Sequence, residues 1–415
     1  MPYMRPIKVE ASLLLALAFA LVAGCGGRGE VEVGADAGSD ATAPGGLAYP
    51  IVDTGQTACY SATAGIACPA AGEGYFGQDG TYTGRAFAYT DHGDGTVTDN
   101  VTGLMWVKAR GDKTTWEDAL AGAATCAVGG HADWRMPTIK ELYSLVDFRG
   151  KSGRTDAECV PYIDTNYFEI VFGDATGGRV IDGQDWSATE YLGTTMVGEP
   201  TTFGVNFIDG RIKGYGRNDP QSGGAKTLYA RYVRGNPSYG VNAFFDRGDG
   251  TVADESTGLT WQQGDSEQTL TWSAALAYCE SLAVGGHDDW RLPNAKELQS
   301  IVDYTRAPLI TSSAAIDPIF TVTEVESYYW TGTTHLEGPG GPEGSAAVYV
   351  AFGRAMGWMQ VPPDSGNYLF MDVHGAGAQR SDPKQGDPTA YPHGLGPQGD
   401  DIRILNYVRC VRDGN

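Results

Sequence analysis

Residues 127–147 read AVGGHADWRMPTIKELYSLVD, and residues 283–303 read AVGGHDDWRLPNAKELQSIVD. Fifteen of these 21 positions are identical at a constant offset of 156 residues. A period of this length is typical of a tandem of whole domains, because solenoid repeats are only about 20–50 residues long. The chain therefore contains two diverged copies of one domain.

Landmarks outside this stretch keep the same order in both copies. The clearest matches pair residues 94–97 with 249–252, 102–106 with 257–261, and 231–234 with 409–412. They place copy 1 at residues 86–235 and copy 2 at residues 241–413.

The sequence of each copy predicts two short helices followed by strands. Thr115 and Thr271 precede the first helix of their copies, where a threonine hydroxyl can cap the exposed N–H groups. Thr138 and Glu141 have the spacing of a capping box at the start of the second helix. The remaining segments are short, aromatic and interrupted by glycine, which is typical of strands and long loops. The sequence predicts an α+β fold of two tandem domains, each with two helices and a small antiparallel sheet with long loops.

The first 25 residues have the pattern of an export signal. Arg5 and Lys8 precede an apolar run over residues 13–22, which is shorter than the roughly 20 residues that span a bilayer. The run ends in Leu-Val-Ala-Gly-Cys25, which resembles the bacterial lipobox. That resemblance implies a lipoprotein signal peptide over residues 1–25, an acylated Cys25, and an exported protein anchored by lipid to the outer membrane or cell surface. The alternative is an ordinary cleaved signal in which Cys25 is incidental.

Composition and charge limit the partners. Residues 26–48 are rich in Gly, Ala and Asp and predict a flexible tether, and residues 49–85 form a lead-in segment before copy 1. The net charge of −22 repels phosphate backbones and other anionic polymers. We therefore expect no nucleic-acid partner, and we expect membrane association through the lipid. The sequence does not fix the oligomeric state.

The repeat sorts the cysteines into pairs. Six cysteines remain besides Cys25, and an exported protein favours disulfides. Copy 1 has Ala123 and Tyr232 at the positions of Cys279 and Cys410 in copy 2. Because copy 1 lacks both cysteines together, Cys279 and Cys410 are predicted to pair. The predicted bridges are Cys59–Cys68, Cys126–Cys159 and Cys279–Cys410.

The motif Gly-His-x-Asp-Trp-Arg-Leu/Met-Pro-x-x-Lys-Glu-Leu resembles the Lcl C-terminal domain, named from bacterial collagen-like adhesins. The other landmarks and the lead-in support the likeness, which covers most of residues 50–413. The resemblance implies a C-type-lectin-like fold and a surface protein that binds ligands. It also implies a distant relationship to formylglycine-generating enzymes.

Two repeated sets of residues are candidate sites. Carboxylates separated by glycine suit Ca²⁺, which is the candidate cofactor, although the same pattern is typical of tight hairpins. These carboxylates are Asp91, Asp94, Asp99, Asp246, Asp249 and Asp254. The second set could stack on a sugar, or it could be structural, with a buried Trp and an Arg paired to a Glu. It comprises Trp134, Arg135, Glu141, Trp290, Arg291 and Glu297. The adjacent Lys140 and Lys296 are predicted to be surface charges.

We expect no catalysis, because the sequence has no nucleophile elbow, phosphate-binding loop or His-Glu-x-x-His motif. The leading hypothesis is an envelope lipoprotein that presents two lectin-like domains to a glycan or protein ligand, for example in adhesion. The alternatives are a structural envelope protein without a specific ligand and an enzyme of the formylglycine-generating type. Two long segments particular to copy 2, residues 334–344 and 372–399, are either binding loops or simple surface decoration. They contain His335, His374, His393 and Tyr391.

Overall fold

The structure is a computed structural model of the chain, and it describes residues 46–174, 176, 178–219, 223–336 and 342–414. The predicted signal peptide, Cys25 and nearly all of the predicted tether lie outside the described residues. The described residues belong to one compact unit, so the two copies are packed together.

The elements follow the predicted order and are mostly strands with few helices. The lead-in contains β1 (Cys59–Tyr60) and β2 (Gly65–Ile66). Copy 1 contains β3 (Tyr89–Asp91), β4 (Thr96–Asp99), β5 (Met105–Val107), α1 (Trp116–Ala123), α2 (Ile139–Ser144), β6 (Gln184–Thr195), β7 (Glu199–Asn206), β8 (Arg211–Gly216) and β9 (Val233–Arg234). Copy 2 contains β10 (Phe244–Asp246), β11 (Thr251–Asp254), β12 (Leu259–Gln262), α3 (Trp272–Glu280), α4 (Ala295–Ser300), α5 (Pro308–Thr311), β13 (Tyr328–His335), β14 (Ala346–Ala351), β15 (Met356–Gln360), β16 (Tyr368–Asp372), β17 (Gln379–Pro383) and β18 (Val411–Asp413). Short 3₁₀ turns lie at Asp79–Thr81, Val128–Gly130, Asp156–Glu158 and Pro388–Ala390.

The helix starts are as predicted. The Thr115 hydroxyl accepts a hydrogen bond from the backbone N–H of Asp118, and the Thr271 hydroxyl accepts one from Ala274. Thr138 and Glu141 form the predicted capping box of α2. Copy 2 has the same box at α4, where Asn294 replaces the threonine. An asparagine side chain serves equally well because its carbonyl oxygen can accept from the same N–H groups.

Each copy closes on itself because its last strand pairs with its third strand. The four-stranded antiparallel sheets have the orders β3-β4-β5-β9 and β10-β11-β12-β18. A fully buried arginine beside each last strand stabilises this closure. Arg231 donates to the carbonyl oxygens of Val107 at 3.0 Å and Glu169 at 2.7 Å. In copy 2, Arg409 makes the corresponding bonds to Gln262 and Thr321, both at 2.8 Å.

The two copies share a six-stranded antiparallel sheet, which the sequence did not predict. Its order is β13-β14-β17-β8-β7-β6, so that three strands come from each copy. The copies meet where β17 lies beside β8, with Gln379 opposite Ile212. The main hydrophobic core is also continuous between them, because Trp106 and Leu142 of copy 1 belong to the same buried cluster as Trp261 and Leu298 of copy 2.

A reciprocal pair of lysine contacts joins the second helices of the copies. Lys140 donates to the carbonyl oxygen of Ser300 at 2.7 Å, and Lys296 donates to that of Ser144 at 2.9 Å. These residues are related by the offset of 156, so the copies face each other with approximate two-fold symmetry. The sequence suggested surface charges here, but burial lowers the pKa of Lys140 to about 8 and that of Lys296 to about 7.

Two of the three predicted disulfides are present. Cys59 bonds Cys68, and Cys279 bonds Cys410. The predicted Cys126–Cys159 bridge is wrong, because both cysteines are free. Cys126 follows α1, whereas Cys159 lies in a separate loop and accepts a hydrogen bond from the Gly153 N–H at 3.1 Å. An even cysteine count fixed the number of possible pairs but not whether the last two thiols meet.

Candidate ligand-binding surface

Copy 2 carries an insertion between its shared landmarks. Arg211 and Arg231 of copy 1 are 20 residues apart, whereas Arg354 and Arg409 of copy 2 are 55 apart. The extra residues contribute β17 to the shared sheet and build a separate two-stranded hairpin, β15-β16. β15 begins just after Arg354, which is the counterpart of Arg211 at the start of β8. β15 is therefore the sequence equivalent of β8, but β17 is the strand that takes the equivalent position in the six-stranded sheet.

The hairpin presents a cluster of aromatic side chains that we call the aromatic surface, defined by Trp358, Tyr368, Phe370 and His393. Trp358 and Phe370 are cross-strand partners whose ring centroids lie 4.7 Å apart. The His393 ring stacks on Tyr368 at 3.6 Å, with an angle of 6° between the planes. Cross-strand partners point to the same face of a hairpin, so these rings form one surface.

The aromatic surface is accessible and firmly supported. Phe370 is 45% exposed, and Leu369 on the opposite face of the hairpin is 49% exposed. The Trp358 N–H donates to the carbonyl oxygen of Gly399 at 2.8 Å, which fixes β15 against the following loop. Gln360 donates to the Tyr368 hydroxyl at 2.9 Å. Exposed aromatic clusters on a fixed backbone are typical of interaction surfaces.

The other histidines of the two segments particular to copy 2 are buried, which corrects the interpretation that they line a ligand site. His335 lies at the end of β13, where its ring stacks on Tyr162 of copy 1 at 5.3 Å. His374 contacts Asp400 at 2.8 Å. Burial, together with the charge of Arg380, lowers the pKa of His374 to about 4. His335 and His374 therefore lie where the copies meet, and His393 is the exposed histidine among the three. Residues 337–341 of the first segment lie outside the described residues.

Buried charges surround His374 at the junction of β8 and β17. Arg380 is paired with Asp400, and the charges of Arg380 and His374 hold the pKa of that carboxyl well below its usual range despite burial. Lys213 pairs with Asp209 at 2.9 Å on the copy 1 side. Each charge has a partner of opposite sign within the described residues, which favours a structural role.

The repeated Trp-Arg motif is structural in both copies. Trp134 and Trp290 are 4% and 1% exposed, too little for sugar stacking. Arg135 makes a two-pronged ion pair with Glu141, at 2.6 and 2.5 Å. Arg291 pairs in the same way with Glu297, at 2.6 and 2.7 Å. The interpretation of a buried Trp and an Arg that ties the loop to its helix is confirmed.

The candidate Ca²⁺ ligands shape hairpin turns. Their carboxylates accept hydrogen bonds from nearby backbone N–H groups or side chains, as in Asp94 with Thr96 at 2.9 Å and Asp249 with Thr251 at 3.0 Å. Asp91 and Asp246 accept from Gly93 and Gly248, while Asp99 and Asp254 cap the next turn. In the part of the chain that the structure describes, no three His, Cys, Asp or Glu side chains come together as cation ligands would. These hydrogen bonds support the hairpin interpretation of the six residues.

These observations define a mixed α/β protein with few helices, built from two fused homologous domains. The sequence model of the Lcl C-terminal domain family matches the chain twice, over residues 95–234 and 250–372, which is more than half of its length. The chain therefore belongs to the Lcl C-terminal domain family. Neither a curated protein nor a solved structure matches it significantly. Within the described residues, the helices are all too short or too polar to cross a bilayer.

The family match helps to locate the insertion. Its second segment ends at Asp372, although the last strand of copy 2 is β18, at Val411–Asp413. The sequence reasoning named His393 and Tyr391 but overlooked Trp358 and Phe370, which precede the longer loop. The signal available in the sequence was the unequal spacing of the arginine landmarks together with Tyr368 and Phe370, which lie among the additional residues of copy 2.

Proposed function

We propose that this chain is a non-catalytic binding protein of the cell envelope and that the aromatic surface of copy 2 contacts an uncharged glycan. The observation that carries the proposal is the exposed pairing of Trp358 and Phe370 beside the stacked Tyr368 and His393. Flat aromatic rings offer apolar area at little cost in conformational entropy, and their polar edges supply hydrogen bonds.

The local charge favours a neutral ligand. Residues 355–379 contain no lysine or arginine, and their charged side chains are Asp364 and Asp372. The chain as a whole carries a net charge of −22, so a sulfated or phosphorylated polymer would be repelled on approach. Gln360 and the exposed His393 provide the polar groups at the edge of the aromatic surface.

The envelope location belongs to the same proposal. It is supported by the lipobox-like sequence that ends at Cys25 and by the two disulfides, which persist in oxidising compartments. A Cys25→Ser change should abolish incorporation of labelled palmitate into the full chain, while Cys126→Ser, which removes a free thiol of copy 1, should leave it intact. Incorporation into the Cys25→Ser chain would contradict the lipid anchor.

A C-type-lectin-like fold is also proposed for each copy. The pairing of the last strand of each copy with its third strand supports it, as do the first two short helices of each copy, which pack on the six-stranded sheet. An experimentally determined structure of the chain, superposed on C-type-lectin-like domains, would test this assignment. A different strand order in that superposition would overturn it.

A glycan array probed with the full chain in detergent, with and without Ca²⁺, tests the binding proposal. Phe370→Ala should weaken the captured signal about tenfold, since aromatic contacts contribute about 0.5–1.5 kcal/mol beyond area burial. Phe245→Ala is the matched control, because Phe245 is an exposed aromatic residue of copy 2 outside the aromatic surface, with 60% of its area accessible. Absence of glycan binding under both conditions, or equal binding by the two variants, would overturn the proposal.

A further inference from the structure

The lead-in lies along one face of copy 2, and it also contacts copy 1, where the carbonyl oxygen of Thr54 accepts a hydrogen bond from the Phe148 N–H at 2.8 Å. Gln56 makes two hydrogen bonds with the backbone of Thr334, donating to its carbonyl oxygen at 2.9 Å and accepting from its N–H at 2.8 Å. The Thr333 hydroxyl donates to the Asp79 carboxyl at 2.6 Å. Because β13 is an edge strand of the six-stranded sheet, these contacts cover an edge that would otherwise be open.

The lead-in makes further hydrogen bonds to copy 2 away from β13. The Tyr82 hydroxyl donates to Glu280 at 2.5 Å, and Lys296 donates to the carbonyl oxygen of Asp53 at 2.9 Å. The lead-in thus recognises copy 2 through a carboxyl, a carboxamide and backbone carbonyl groups. It gives an example, within one molecule, of how a polypeptide segment binds this face of the domain.

The equivalent face of copy 1 has the same receptor groups but is open. Thr189 corresponds to Thr333, and it accepts a hydrogen bond from the Ile139 N–H at 3.0 Å just as Thr333 accepts one from Ala295 at 2.9 Å. Thr333 is fully buried, whereas Thr189 is half-buried, and nothing in the described residues accepts a hydrogen bond from its hydroxyl. The side chain of Arg135 is 38% exposed, against 12% for its counterpart Arg291.

Copy 1 has a groove at the position that corresponds to the face of copy 2 on which the lead-in lies. We call it the copy 1 groove; it has a volume of about 650 Å³ and is lined by Arg135, Thr138, Lys140 and Thr189, with Tyr239 and Tyr304 opposite. The linker over residues 237–242 replaces the residues around Asp53, since Lys140 donates to the carbonyl oxygen of Gly240 as Lys296 does to that of Asp53. The linker then enters β10 directly, and the segment that would fill the groove has no counterpart.

Two substitutions explain why the lead-in selects copy 2. A Cβ added to Gly332 would lie 3.2 Å from the backbone nitrogen of Asp79, and copy 1 has Ala188 at this position. Glu280, which accepts from Tyr82, is replaced by Ala124. The copy 1 groove therefore disfavours the lead-in of its own chain while it keeps the threonine that receives the carboxyl.

We propose that the copy 1 groove is a docking site for an extended polypeptide segment of a partner protein, which presents a carboxyl or carboxamide side chain to the Thr189 hydroxyl. The segment would lie beside β6 as the lead-in lies beside β13. Ala188 has a methyl group where copy 2 has Gly332, so the backbone of the bound segment would lie further from residue 188 than the lead-in backbone lies from Gly332. This site is separate from the aromatic surface and does not depend on the glycan proposal.

Selection of a random dodecapeptide library against the full chain tests the docking site. Enriched peptides should require an Asp, Glu, Asn or Gln residue, and replacing that residue by Ala should abolish capture. Thr189→Val should weaken their binding at least about tenfold, because a hydrogen bond to a charged or buried partner contributes about 1.5–3 kcal/mol. Thr155→Val, a change at an exposed threonine of copy 1, should leave it unchanged.

Thr189→Ser provides a second variant, because it keeps the hydroxyl that both Ile139 and the peptide use. It should bind the peptides as the unmodified chain does, which separates loss of docking from loss of folding. The proposal is overturned if no peptide is enriched, or if the enriched peptides bind the Thr189→Val chain as tightly as the unmodified one.

Discussion

The two copies share the Trp-Arg-x-Pro motif and its capping box, but copy 2 has a covalent bridge and a covered face where copy 1 has neither. The Cys279–Cys410 bridge joins α3 to the segment leading into β18. In copy 1, Tyr232 takes the place of Cys410, and its hydroxyl lies so close to α1 that a Cβ on Gly122 would clash with it. Packing by a large aromatic side chain has replaced a disulfide. The scaffold therefore tolerates different ways of joining its first helix to its last strand.

The same difference extends to the partners of each copy. Copy 2 uses the lead-in and its own insertion to cover the edge of its sheet, and the insertion also carries the aromatic surface. Copy 1 leaves the corresponding face open at Thr189. The two copies therefore differ in that other segments of the chain cover the face of copy 2, whereas the equivalent face of copy 1 is open.

The largest expected effect comes from removing the bridge of copy 2. Cys279→Ala with Cys410→Ala should lower the free energy of unfolding by about 2–5 kcal/mol, because the bridge closes a long loop of 131 residues. Urea unfolding followed by tryptophan fluorescence measures the loss. Cys126→Ala is the control in copy 1 and should cost less than about 0.5 kcal/mol. Equal losses would show that the bridge does not distinguish the copies.

The covered face of copy 2 should make stability depend on pH through Asp79. Burial raises the pKa of this carboxyl to about 7, even though the Thr333 and Thr54 hydroxyls donate to it. The unfolded chain loses this proton near pH 4 and the folded chain near pH 7, so the Asp79 contribution to stability falls as the pH rises between these values. Compared with Asp79→Asn, the unmodified chain should lose about 1–4 kcal/mol over this window.

Urea titrations at several pH values measure the Asp79 effect. Asp112→Asn, at an exposed position of copy 1, should leave the pH dependence as it is. The expectation is wrong if the Asp79→Asn chain and the unmodified chain show the same pH profile.

The reciprocal lysines should differ because one is covered and the other lines the copy 1 groove. Lys296→Met leaves the carbonyl oxygens of Asp53 and Ser144 without their donor in a dry environment, which should cost about 1–3 kcal/mol. Lys140→Met should cost less, since water in the groove can replace the lost donor. Thermal unfolding of the two variants in parallel measures the difference. A larger loss for Lys140→Met would contradict the open face.

The smallest effect concerns the two free thiols, which lie in copy 1. The unreduced full chain with Cys25→Ser should react with two equivalents of iodoacetamide, at Cys126 and Cys159. Burial raises the pKa of the Cys159 thiol, so its alkylation should accelerate at a higher pH than that of an unperturbed thiol. Peptide mapping by mass spectrometry identifies the labelled sites. A chain without reactive thiols would restore the bridge that the cysteine count predicted.

Features that are local to one copy could be predicted from the sequence. The helix caps at Thr115 and Thr138, the Arg135–Glu141 pair and the Cys279–Cys410 bridge all depend on residues whose spacing the repeat preserves. Each of these interactions can be found by comparing the two copies position by position, because a contact within one copy reappears, or vanishes as a pair, in the other.

Features that join the copies could not be predicted in this way. The repeat contains Lys140 and Lys296 as ordinary helix residues, and their burial depends on a surface that exists only when two copies meet. Binding of the lead-in to copy 2 depends on Gly332 and Glu280. Copy 1 has Ala188 and Ala124 at these positions, and such changes are not distinguishable in the sequence from the many other differences between the copies. Tyr368, Phe370 and His393 lie among additional residues of copy 2, where the comparison between copies has no partner position. Trp358 aligns with Tyr215, but the strands that carry these two residues belong to different sheets.

The position of the lead-in also determines the order in which the chain can fold. Gln56 bonds a residue 278 positions later, and Asp79 bonds one 254 positions later. As the chain is made from its N-terminus, Gln56 and Asp79 have no partners in copy 2 until β13 has emerged. Contacts between such distant residues form slowly, because the intervening chain must first be ordered. The segment that is synthesised before either copy therefore acquires its contacts with copy 2 late in folding.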